Sequence, residues 1–197
     1  MGVKLVSVSG GSVEINPPAT ASNFVATMPA GTGNVVVNGV NGALVSGTAV
    51  ASTSGTSIDF TGIPSWVKRI TVMFNGVSTN GTSNIQVQVG TSGSITTSGY
   101  VGAVSNQAGT VAANSTGFQV ANTVTAADVY WGHVVLTKTA ANATQVSETS
   151  ILANSNAANA RYSAGAVTPA NTIDTVRITT VNGTDTFDAG SINILYE

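Results

Sequence analysis

Ile85-Gln86-Val87-Gln88-Val89 alternates apolar and polar residues without a break. Successive side chains of a strand point to opposite faces, so this period puts three aliphatic residues on one face and two glutamines on the other. Ile and Val also suit a pleated, half-buried surface. The stretch therefore reads as a strand with its aliphatic face on a core and its glutamines turned out. The same period recurs upstream, where Ile70, Val72 and Phe74 alternate with Thr71 and Met73, and where Ile58 shares a face with Phe60. Downstream it recurs in Val176, Ile178 and Thr180 and in Ile192, Ile194 and Tyr196. Val129 to Leu136 is a further strand, and Thr144 to Thr149 another. Residues 153–170 leave a strand around Arg161-Tyr162 and a single helical turn both open.

Asn75-Gly76 and Asn182-Gly183 punctuate these runs and read as hairpin or turn signals, because Asn and Gly tolerate positive φ. Short strands, frequent turns and no convincing helix predict an all-β chain, with a jelly-roll-like β-sandwich over residues 58–197. Residues 1–45 read as a small N-terminal β-module. It holds Val3 to Val8, Val13-Glu14-Ile15, a strand face of Phe24, Ala26 and Met28, and Val35-Val36-Val37. Pro17-Pro18 interrupts it, because proline cannot donate to a ladder. Residues 46–57 are small and polar and read as a linker or a strand leading into the sandwich.

Composition narrows the function. Of 197 residues, 42% are hydrophobic and 7% charged, with one histidine, no cysteine and 22 glycines. Enough apolar material exists for a core, and the low charge argues against a disordered chain. The six basic residues are dispersed along the sequence, so no nucleic-acid partner is expected. Without cysteine there is no disulfide framework and no thiolate metal site. No basic stretch followed by an apolar run opens the sequence, and no run approaches the ~20 apolar residues of a spanning helix. Neither a secretory signal nor a membrane partner is therefore expected.

Residues that perform chemistry are sparse. His133 is the only imidazole, and neither a G-x-S-x-G elbow nor a metal-type His pair accompanies it. Asp185 and Asp188 flank Phe187, with Asp174 upstream, but a glycosidase needs its carboxyl pair in a cleft and calcium needs about six to eight oxygens. Turn chemistry after Asn182-Gly183 accounts for Asp185. The reading is no enzyme, no catalytic residue, no cofactor and no metal. Five aromatic residues with polar edges remain as interface or ligand contacts, sugar stacking included: Trp66, Tyr100, Tyr130, Trp131 and Tyr162. Filling the core is their competing role.

The segment from Ser54 to Phe74, centred on Ile63-Pro64-Ser65-Trp66-Val67-Lys68-Arg69-Ile70-Thr71-Val72, is similar to one found in tailed-bacteriophage fibre and virion-surface proteins. Gly76-Val77-Ser78, Gln86-Val87-Gln88-Val89-Gly90 and Ser98-Gly99-Tyr100 continue the pattern. Phe187-Asp188-Ala189-Gly190-Ser191-Ile192-Asn193-Ile194-Leu195-Tyr196-Glu197 resembles the closing strand of the same proteins. Met28-Pro29-Ala30-Gly31-Thr32-Gly33 resembles an N-terminal piece of phage fibres. The resemblance implies a phage virion structural protein, a commonly trimeric β-sandwich that decorates a head or ends a fibre. Neither a large anchor nor an extended shaft is visible here, so it points to a capsid decoration (cement) protein or a short head fibre. The implied location is the virion surface after synthesis in the bacterial host cytoplasm. The implied partners are a homotrimer, through residues 1–45 as an attachment or oligomerisation module, and the major capsid protein or other virion proteins. The alternative is the receptor-binding tip of a tail fibre, with host surface carbohydrate as its ligand.

Overall fold

The computed structural model describes residues 3–6, 9–10, 12–15, 44–91, 93–138, 146–156 and 158–197. The chain divides into two compact units, one within residues 1–35 and one within 36–197. In the first, β1 (Val3–Val6) and β2 (Ser12–Ile15) form an antiparallel pair with Val3 opposite Ile15. The expected strands at 24–28 and 35–37 lie outside the described residues.

The second unit is built from strands alone among its described residues. They are β3 (Val45–Ser46), β4 (Val50–Ala51), β5 (Ser57–Phe60), β6 (Arg69–Thr79), β7 (Ile85–Thr91), β8 (Ser94–Ile95), β9 (Val101–Asn106) and β10 (Val111–Ala113). Then follow β11 (Phe118–Gln119), β12 (Tyr130–Lys138), β13 (Val146–Asn154), β14 (Asn159–Val167), β15 (Thr175–Thr180) and β16 (Phe187–Tyr196). A large antiparallel sheet runs β10-β9-β14-β13-β12-β6-β16-β3, with β4 also on β16. A small sheet runs β11-β7-β15-β5, with β8 also on β7.

The two sheets make a β-sandwich. Its jelly-roll-like part is the double crossing: β6 pairs with β16 in one sheet and β7 with β15 in the other. Between those crossings β12, β13 and β14 lie side by side as a meander in the large sheet. The core fills the gap. Ile70, Val72, Phe74, Val134, Leu136, Ile192 and Ile194 enter from the large sheet, and Ile58, Phe60, Val87, Val89, Val176 and Ile178 from the small one, all buried. Each such side chain contributes about 1.5–3 kcal/mol of hydrophobic stabilisation, which is what holds the layers together.

Neither Asn75-Gly76 nor Asn182-Gly183 makes a hairpin. Asn75-Gly76 lies inside β6, where Gly76 takes φ +68° and the register slips: Trp131 faces Asn75 while Tyr130 faces Val77. The extra residue is a bulge, and it returns Val77 to the core face after Phe74. Gly190 bulges opposite it at φ +87°, so close that a Cβ there would collide with the Gly76 carbonyl. Asn182-Gly183 does turn the chain, but it joins β15 of the small sheet to β16 of the large one. The dipeptide specifies only an accessible positive φ.

Residues 46–57 are not a free linker. β3 and β4 pair with β16, and β5 starts at Ser57. Of the open alternatives for 153–170, the strand is the outcome, β14 spanning both Arg161 and Tyr162.

Candidate functional site

Two surfaces follow from this architecture, one on the outer face of each sheet. On the large sheet the register aligns β12, β13 and β14 so that His133, Ile151 and Tyr162 stand in one row, with Met73 beyond His133 and Ser105 beyond Tyr162. Trp131 occupies the next row of β12, opposite Asn75 and Ala153. Ile151 is 53% exposed, Tyr162 47% and Trp131 40%. The bulge positions the indole: a Cβ on Gly76 would lie 3.6 Å from Trp131 Nε1, so the ring lies over the glycine. Tyr162 Oη donates to the Asn106 carbonyl at 3.2 Å, which pins its ring across β9. Val101 and Val111 extend the apolar surface to the sheet edge, both exposed.

The outward residues of β9, β12, β13 and β14 include no Asp, Glu, Lys or Arg. On the neighbouring strands the exposed charges are Arg69 of β6, which pairs with Glu197, and Asp188 of β16. Exposed sheet faces normally carry alternating polar residues, and contiguous apolar patches on a surface mark interaction sites.

The five aromatic candidates divide. Trp131 and Tyr162 share this face. Tyr100 and Tyr130 are core residues and reach no outside partner. The Tyr100 hydroxyl accepts from Val89 N at 3.0 Å and donates to the Thr96 carbonyl at 3.0 Å, standing in for a strand partner beside β7, and its ring meets Phe118 edge-on. Burial pushes its phenol up to about 12. Tyr130 donates to Asp128 at 3.1 Å. Burial raises the Asp128 carboxyl, but the neighbouring Asn154 amide and hydrogen bonds from Thr125 N, Asn156 Nδ2 and Tyr130 Oη outweigh it and hold the group below the usual carboxylate range. Trp66 is half-buried against Tyr196, ring centres 6.0 Å apart.

His133 has Met73 and Ile151 as its cross-strand neighbours, and neither is a nucleophile or a carboxylate. Asp185 ties the 182–185 turn, accepting from Asn182 Nδ2 at 2.7 Å and Ser83 N at 2.9 Å, which holds its carboxyl low. Among the described residues no three His, Cys, Asp or Glu gather as a metal site.

The small sheet holds what the sequence hid. Gln86 and Gln88 do point away from the core, yet they are only 2% and 5% exposed. The segment before β11 lies over them: Gln88 Nε2 donates to the Thr116 carbonyl at 2.8 Å, and Thr116 Oγ1 donates to Gln86 Oε1 at 3.0 Å. Gly117 permits this approach, since a Cβ would sit 2.8 Å from Gln86 Oε1. Beside the glutamines opens a recess of about 300 Å³, lined by Ser57, Gln88, Thr116, Arg177, Thr179 and Val181 among others. Strand alternation made these glutamines outward, and nothing local announced a cover from 28 residues away.

The core also takes charges that alternation did not flag. Glu148 is 1% exposed, with Ser163 donating to Oε1 at 2.7 Å and nothing bonding Oε2. Burial raises its carboxyl to about 7 against the Ser163 and Ser150 hydroxyls. Lys138, also buried, donates to the Ile173 carbonyl at 3.4 Å.

Compared with protein-family models, curated proteins and solved structures, the chain matches none.

Proposed function

We propose that this chain is a phage virion structural protein whose sandwich associates with copies of itself, as a homotrimer, through the outer face of the large sheet. The reading combines the sequence resemblance to virion-surface proteins with one observation that carries the association: an uncharged aromatic and aliphatic face centred on Ile151. A further copy of the chain is the occupant that fits. Around a three-fold axis each copy packs part of this face against its neighbour, and the outward residues of β9, β14, β13 and β12 bring no formal charges together and bury no unpaired ion. Strands ~4.8 Å apart and rising ~3.3 Å per residue give the six adjacent strands β9 to β16 an outward face of about 650 Å², near the roughly 800 Å² per partner of a standard interface. The work of such a protein is buried area: it decorates or cements a capsid, or forms a short head fibre, by multiplying contacts around a symmetry axis.

The test is sedimentation velocity on the full chain and its Ile151→Glu variant, with immunogold labelling of intact virions from the same genome. The expected results are a trimer, a variant shifted to monomer because a carboxylate now lies in a desolvated interface, and label on the virion surface. A monomeric native chain or an undisturbed trimer in the variant overturns the interface, and unlabelled virions overturn the structural role.

A further inference from the structure

We infer that the recess on the small sheet binds a neutral, polyhydroxylated ligand, a pyranose sugar. The inference is independent of the self-association face, which lies on the opposite side of the sandwich.

The floor of the recess is set by strand register. Asp59, Arg177 and Gln88 stand side by side across β5, β15 and β7, and Ser57, Thr179 and Gln86 form the adjoining row. The 180–183 turn and Thr116 wall it. Its electrostatics exclude ions. Arg177 is the only cation among the described lining residues, and Asp59 neutralises it through two bonds, Nε to Oδ1 and Nη2 to Oδ2, each 2.7 Å. An anion would compete with that bidentate pair, and a cation would find no free carboxylate. A large apolar ligand would strand the amides and hydroxyls beneath it.

What remains unused is a fixed set of donors and acceptors. No described group bonds Gln88 Oε1, Ser57 Oγ or Arg177 Nη1, while Gln88 Nε2 is held by Thr116. The buried amide is therefore locked with its oxygen free, and the guanidinium is locked with one edge free. Adjacent hydroxyls of a pyranose offer both donors and acceptors to these groups, and exposed Val181 supplies an apolar wall for the C–H face of the ring. With no aromatic platform among the described lining residues, affinity is modest, on the order of millimolar for one ring, and rises only when many copies act together.

The experiment is a titration of the isotope-labelled full chain with glucose, galactose, mannose and N-acetylglucosamine, each to about 100 mM, read by amide chemical shifts. At least one sugar should give saturable shifts at the Gln88 side-chain amide and along 177–183. Ser57→Trp, and separately Thr97→Trp from the exposed loop beside it, should weaken that binding at least about tenfold by filling the recess. Dispersed spectra establish that each variant is folded, and two variants from different segments guard against one that is not. Absence of a saturable shift with all four sugars, or shifts that survive both blocking substitutions, overturns the inference. So does displacement of the sugar by sodium sulfate, which would make the recess an anion site.

Discussion

Replacing Glu148 by Gln should make the domain more stable, and increasingly so as pH rises. The carboxyl is 1% exposed, has no cation beside it, and leaves Oε2 without a partner. Burial lifts its pKa from 4.5 to about 7, opposed by the Ser163 and Ser150 hydroxyls. Below pH ~4.5 both folded and unfolded chains carry the proton, and the group costs nothing on ionisation. Between that pH and about 7 the unfolded chain releases the proton while the folded chain keeps it, so stability falls with rising pH. Each pH unit of that window is worth ~1.4 kcal/mol, and the loss levels off above pH 7 at about 3 kcal/mol. Glutamine keeps the shape, still accepts from Ser163, and never ionises. Urea unfolding of both proteins at pH 4, 5, 6, 7 and 8 measures the difference, and carboxyls common to both cancel. The two should nearly coincide at pH 4 and separate by about 3 kcal/mol at pH 8. A difference that stays flat across the series refutes the reasoning, because it would mean that Glu148 is charged or solvated in the folded state.

Gly190→Ala should cost more than about 3 kcal/mol, since φ +87° and the collision with the Gly76 carbonyl act together, whereas Gly183→Ala, at φ +68° in open space, should cost only about 1–2 kcal/mol. Thermal melts of the two variants compare them directly, and equal losses would mean that the facing bulges are not rigid. Tyr100→Phe should lose about 1–3 kcal/mol in denaturant unfolding, because it leaves the buried Val89 N–H without its acceptor while preserving the ring contact with Phe118. An unchanged midpoint would show that water or another oxygen replaces the hydroxyl.

The layers of this fold were legible because alternation is a local property. Ile70, Val72 and Phe74, Ile85, Val87 and Val89, and Ile192 with Ile194 all face the core as their period requires. The candidate surface was half legible. Trp131 and Tyr162 were singled out as aromatics, but so were Tyr100 and Tyr130, and the same residue types serve core and surface. Nothing in the sequence ranked Ile151 or Val101 as exposed, since an isolated aliphatic residue in a strand reads as core. Buried Glu148 was equally invisible: it stands among Ser147, Thr149 and Ser150, where a polar outer face would be expected.

The sequence alone determined the strand class, the two faces of the clearly alternating strands, and the positive φ at Gly76 and Gly183. Tertiary structure decided what those features became. Gly76 and Gly183 share a left-handed backbone, yet the first makes a bulge within β6 and the second a passage between sheets, because the partner strands differ. Gln86 and Ile151 both point away from the core, yet the amide is covered and the aliphatic residue is bare. Alternation fixes on which side of a sheet a residue stands. Whether water lies there depends on segments far away in sequence, and here that segment carries Thr116 and Gly117 across one sheet and leaves the other open.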